Sequence, residues 1–199
     1  MNDRGADAHR IVTDAAPSPA DRARVQHLLG REPQGAYRIV VRRADGDPVV
    51  LLNMPVLDDG TPMPTRYWLV GDRETREISR LESSGGVRRS EGQIPPEQIA
   101  DAHRRYAIER DALIPADHAG PRPSGGVAGT RIGVKCLHAH YAWHLAGGDD
   151  PVGRWVAAEL DRAAVIRAAI TRDATSAGTA RPIDAVDVTS RSHSRGGAA

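Results

Sequence analysis

The sequence has no phenylalanine, and three tryptophans and four tyrosines are its only large aromatic side chains apart from histidine. A core built from it must rest on Val, Leu, Ile and Ala. One cysteine, Cys136, excludes an intrachain disulfide framework and any zinc site of several cysteines. A surplus of either charge is also missing: 27 Lys+Arg stand against 26 Asp+Glu, net +1. A dedicated nucleic-acid binder gathers a basic surplus in one patch, so nucleic acid is not an expected partner. No apolar run approaches the roughly 18 residues of a membrane span. The opening MNDRGADAHR lacks the apolar stretch of a signal peptide. The expectation is a soluble, cytoplasmic globular protein without a membrane partner.

Lysine is almost absent too. Lys135 is the only lysine beside 26 arginines, and the two cations differ: the ammonium is compact and can lose its proton, the guanidinium is a planar fork that cannot. Cys136 follows it directly, and His138, His140 and His144 come next. This short segment holds most of the chemically distinctive residues of the chain.

Residues 1–17 are polar and unpatterned, and residues 171–199 are rich in Ser, Thr, Gly and Ala. Neither offers enough apolar surface to offset chain entropy, so both ends read as disordered tails around a single domain over 18–170. Ser18-Pro19 opens a short helix, with Val25, Leu28 and Leu29 on one face and Gly30 as its stop. AYRIVVRR (36–43) and PVVLLNM (48–54) read as a hairpin around Asp45-Gly46-Asp47, and TRYWLVG (65–71) as a third strand. Asp72 is placed as the cap of a helix reaching Ser84 and ended by Gly85-Gly86. A further amphipathic helix covers 96–114, an apolar one 134–146, and a last one runs from Asp150-Pro151 to about Ile170. Residues 115–133 hold five glycines and three prolines and read as a long loop. Strands first and helices after predict an α+β fold, a small antiparallel sheet of about three strands followed by packed helices.

The helix expected at 134–146 is apolar nearly all round, which predicts burial. At 100° per residue Cys136 and His138 point about 160° apart, so they do not form a dyad on their own. Three site chemistries fit the segment. Unpaired N–H groups at the helix start, with the Gly-rich loop, Arg131 and Lys135, would hold an anion. Cys136 in the first turn, with His140 four residues on, would be a nucleophile and its base. His140 and His144, or Cys136 and His140, have metal-ligand spacing, with Asp149 and Asp150 at hand. His138 needs a hydrogen-bonding partner if buried, and Glu82 and Glu109 are the carboxylates considered for it.

Several stretches carry a family likeness: Leu29-Gly30-Arg31-Glu32-Pro33, Asp59-Gly60-Thr61-Pro62-Met63-Pro64-Thr65, Tyr67-Trp68-Leu69, Ser79-Arg80-Leu81-Glu82, Glu109-Arg110-Asp111 and Val134-Lys135-Cys136-Leu137-His138, running on to Gly148-Asp149-Asp150-Pro151. Over about residues 25–155 the chain resembles the bacterial domain-of-unknown-function family 501. The resemblance implies a cytoplasmic protein and supplies no mechanism. Many relatives carry a C-x-C-G-x-P hairpin turn where this chain has Arg43-Ala44-Asp45-Gly46-Asp47-Pro48. A zinc ion shared in relatives by that cysteine pair with Cys136 and His138 would have lost two ligands here. No tightly bound metal is therefore favoured, with zinc as the alternative.

The expected function is binding of, and action on, a small anionic or phosphorylated molecule where the Gly-rich loop meets the helix, over residues 125–138. Lys135, Cys136 and His138 are the candidate catalytic residues, and Arg31, Thr61, Thr65, Gly126 and Arg131 the candidate ligand-binding ones. The alternative is a non-catalytic interaction or regulatory protein that meets a protein partner through an apolar surface of Trp68, Trp143 and Trp155.

Overall fold

Among the described residues four strands build one antiparallel sheet in the order β1 (His9–Ile11), β2 (Tyr37–Arg43), β3 (Pro48–Asn53) and β4 (Tyr67–Leu69). The structure is a computed structural model that describes residues 9–11 and 16–177. Strands β2, β3 and β4 are the three that the sequence predicts. Asp45 closes the first hairpin: its carboxylate accepts the Asp47 N–H at 2.9 Å, and Gly46 supplies the positive φ of 93° that the turn needs. The short strand β1 has no sequence signal and lies within the stretch read as a tail; His9 pairs with Arg43 and Ile11 with Val41. Of the two expected tails, residues 1–8, 12–15 and 178–199 lie outside the described residues, while 171–177 are helical.

Strand β3 is buried on both faces, and a bulge in β2 divides the core between them. Ile39 pairs with Leu51, but Val41 pairs with Val50, so two residues of β2 advance against one of β3. A regular strand would turn Ile39 and Val41 to the same side. Here Ile39 packs with Val25, Leu51 and Val70 under the first helix, while Val41 joins Val50, Tyr106 and Trp143 on the opposite face.

Among the described residues six α-helices complete the α+β fold: α1 (Pro19–Leu29), α2 (Asp72–Ser83), α3 (Gly86–Gln93), α4 (Pro96–Asp111), α5 (Leu137–Leu145) and α6 (Pro151–Ala177). Ser18 caps α1 in a reciprocal box with Asp21, and Gly30 ends it at φ 69°. Asp72 is not the cap of α2 but its first residue. Gly71 holds the cap position, where a Cβ would run into the Glu74 carboxylate. Helix α3 was hidden behind Gly85-Gly86, which reads as a stop. Gly85 turns the chain at φ 84°, and Gly86 restarts a helix packed against Leu81 and Leu137. Helix α5 is shorter than its apolar run suggests, starting at Leu137 with Lys135 and Cys136 ahead of it. Helix α6 continues past Ile170 to Ala177.

A second apolar cluster joins the helices through Ile78, Ile94, Ile99, Leu137, Tyr141, Val152 and Val156. The chain separates into two compact units, Met1–Arg162 and Ala163–Ala199. Of the second, the structure describes residues 163–177 of α6, where Val165, Ile166 and Ile170 are exposed. No helix of the described residues is long and apolar enough to cross a membrane.

Candidate ligand site

The first turn of α5 carries unpaired N–H groups and the positive end of the helix dipole, which favours a nearby anion. The protein supplies its own. Glu82 Oε1, from the last turn of α2, accepts the Leu137 N–H at 2.5 Å and lies 3.1 Å from His138 Nδ1. The expectation that this helix start is open to an external anion is corrected by that carboxylate. Of the two acidic partners considered for His138, Glu82 is the one in contact. Glu109 instead takes the Tyr67 hydroxyl at 2.7 Å, the Trp143 indole N–H at 3.0 Å and the Arg66 guanidinium at 3.0 Å.

A carboxylate only accepts, so the proton of a neutral His138 sits on Nδ1, facing Glu82. Its Nε2 is then an acceptor, 3.3 Å from the Ser79 hydroxyl. The Thr75 carbonyl lies 3.4 Å from the same nitrogen and becomes a partner only once the ring is protonated. His138 and Glu82 keep about a quarter of their side-chain surface in water.

Cys136 occupies the cap position of α5 with extended backbone, φ −155° and ψ 148°, rather than the first turn. Burial pushes its thiol up, and the nearby Glu82 charge adds to this. The N–H groups of Ala139 and His138 and the Lys135 charge work the other way without prevailing. The thiolate is thus disfavoured at neutral pH. No hydrogen bond joins His140 to Cys136 among the described residues: His140 is fully buried, with Nδ1 bonded to Asp150 Oδ2 at 2.7 Å, while Asp150 Oδ1 caps α6 at Val152. Asp149 pairs with Arg154 and Arg105, away from that pair. Among the described residues no three His, Cys, Asp or Glu side chains are grouped so as to hold a metal ion.

Lys135, Cys136 and His138 come together with Thr65 around a cavity of about 310 Å³. Leu29 from α1, Tyr67, Trp68 and Leu69 from β4, Ala128 and Ala139 complete its wall. Lys135 is exposed, and its Nζ makes one long contact, 3.4 Å, with the Ala128 carbonyl. Ala128 is the one non-glycine residue described with positive φ, 56°. That left-handed backbone costs an alanine about 1 kcal/mol or more, and such strain is often held beside functional sites. The Arg31 guanidinium lies over the Trp68 ring at 5.4 Å, a cation–π contact that brings a second positive charge next to the cavity.

The remaining sequence candidates lie elsewhere. Thr61 belongs to the turn after Asp59, whose carboxylate accepts its N–H at 2.8 Å, and it does not line the cavity. Gly126 packs against the His103 backbone, where a Cβ would overlap it. Its need for glycine is therefore steric. Arg131 lines a separate groove of about 500 Å³ with Glu91, Pro96, Ile99, Ala100, His103 and Ile132. That groove is mostly apolar, and two of its polar side chains, Glu91 and His103, are engaged. Glu91 accepts the Val134 N–H at 2.8 Å, and His103 accepts from Val127 at Nδ1 and donates to the Gly133 carbonyl from Nε2. The tryptophans do not form one exposed face: Trp143 is 2% exposed, and the Trp155 indole N–H is bonded to Gln93. Sequence reasoning did not assign Ser79 a role, although it lies three residues before Glu82 on the same helix.

Fold and site together define an α+β protein with a small, mixed polar and apolar cavity between a sheet edge and a helix start. The chain belongs to a family of proteins of unknown function, DUF501, whose model matches residues 39–158. No curated protein and no solved structure matches it.

Proposed function

We propose that the protein binds a small anionic molecule with a flat or apolar body in the cavity shared by Lys135, His138, Thr65 and Trp68. The observation that carries this reading is their common cavity: the only lysine of the chain lines it beside His138 and Thr65, with Trp68, Tyr67, Leu29 and Leu69 in the same wall. A volume of about 310 Å³ is at the small end for ligand cavities. Lys135 would contact the charge, Arg31 would add positive potential, and the Trp68 and Leu29 side chains would cover the body. His138, its tautomer fixed by Glu82, would orient the ligand or exchange a proton with it. The anion is held by side-chain cations, since Glu82 already occupies the start of α5.

Phenyl phosphate and phenol, titrated calorimetrically, test this. The account expects phenyl phosphate to bind and phenol to bind more weakly. A charge-assisted contact is worth about 1.5–3 kcal/mol, so Lys135→Ala should weaken phenyl phosphate about tenfold or more. No binding, or equal affinity in the folded variant, refutes the assignment.

A further inference from the structure

We propose that Ser79, His138 and Glu82 form a nucleophile–base–orienter set that transfers the acyl group of an ester bearing the anionic group read by the cavity. The inference rests on the ligand reading above and adds a reaction to it.

The serines at the end of α2 and in α3 give the contrast. Ser83 donates to the Arg80 carbonyl, Ser84 to Leu81 and Ser90 to Val87, each three residues back in its own chain. That is the ordinary fate of a serine hydroxyl in or at the end of a helix. Ser79 reaches across to another helix and meets His138 Nε2 at 3.3 Å. The far nitrogen of that ring meets the Glu82 carboxylate at 3.1 Å. A hydroxyl against one ring nitrogen and a carboxylate against the other is the arrangement that activates a serine. Glu82 is fixed in turn by the Leu137 N–H. Ser79 is exposed, so a substrate can approach it, and His138 also lines the cavity. The Thr75 carbonyl would stabilise the protonated ring.

The step balances within the ester and water. Ser79 Oγ bonds to the ester carbonyl carbon while its proton passes to His138 Nε2. The carbon–oxygen bond to the alcohol breaks, and the alcohol leaves with the proton from His138. A water molecule, deprotonated by the same nitrogen, attacks the acyl-serine. The bond to Ser79 breaks, Oγ regains its proton and the carboxylic acid is released.

An uncharged alkyl fluorophosphonate tests this on the full chain. It phosphonylates an activated serine, forming the Oγ–P bond and expelling fluoride. The expected result is one adduct by intact mass, mapped to Ser79 and absent in Ser79→Ala. Labelling should slow about 100-fold in His138→Ala, the scale of general-base assistance, and at least tenfold in Glu82→Gln, which serves if His138→Ala does not fold. Ser83→Ala should label like the parent. No adduct at Ser79 in the folded protein, or an unchanged rate in the folded base or orienter variant, overturns the proposal. The probe carries no anion, so phenyl phosphate binding is scored separately. Binding without labelling removes only the reaction, and labelling without binding removes only the anionic specificity.

Discussion

Replacing Glu74 by glutamine removes a charge from the joint between the first hairpin and α2, the helix that carries Ser79 and Glu82. The Glu74 side chain is 7% exposed and lies 3.0 Å from Arg43 and 3.0 Å from His9. Burial alone would raise its carboxyl, but hydrogen bonds from His9 and Arg43 more than offset this and hold it at about 2, against an ordinary 4.5. At about 1.4 kcal/mol per pH unit that displacement stabilises the fold by at most about 3.5 kcal/mol. Solvent screening around the partly exposed partners brings the expected value to about 1–2 kcal/mol. A depressed folded-state value means the stability is fully present above the unfolded value and is lost as pH falls through the folded one. Urea unfolding of the parent and Glu74→Gln should therefore differ by about 1–2 kcal/mol at pH 7. The gap should close as pH falls from about 4.5 towards 2. Equal stability at pH 7, or a gap constant through that window, refutes the reasoning.

Three other outcomes follow from named contacts. The Arg110 guanidinium is 1% exposed and donates to the Gly125 and Pro123 carbonyls of the long loop at 2.7 and 3.3 Å. Arg110→Met should cost about 2–4 kcal/mol by urea unfolding, because it strands buried acceptors, and a loss below about 1 kcal/mol would contradict that. Gly126→Ala should cost about 1–3 kcal/mol, since the new methyl meets the His103 backbone; a neutral result would show that the loop gives way. The Cys136 thiol, pushed up by burial, should react with iodoacetamide at pH 7 several-fold more slowly in the folded protein than in urea; faster folded-state alkylation would restore it as a nucleophile candidate.

The fold was legible where local chemistry decides it. Ser18 and Gly30 bound α1, and the Asp45–Gly46–Asp47 turn sets the first hairpin in place. Glycine misled in two directions. Gly85-Gly86 reads as an end, yet Gly86 opens α3 because only a residue without Cβ fits against Leu81 and Leu137. Gly126 reads as a ligand loop, yet it serves close packing on α4. Of the candidate site the sequence offers a set of unusual residues, four of which, Lys135, Cys136, His138 and Thr65, line one cavity. Its electrostatics were not legible, because periodicity gives the face of a helix and not the group packed against it. The Glu82 carboxylate arrives from a helix more than 50 positions away in sequence and takes the place expected for an external anion. The hydroxyl of Ser79 is marked by its partner His138, which only the packing of α2 on α5 reveals.

The ligand site proposed for this protein is the cavity beside Lys135. The most direct test is a titration of isotope-labelled protein with phenyl phosphate, followed by amide and indole NMR shifts. The account predicts saturable shifts concentrated at Thr65, Trp68, Lys135, Cys136 and Ala139, and their loss in Lys135→Ala. Shifts centred instead on Arg131, Ile132 and His103, or none at all, would contradict it.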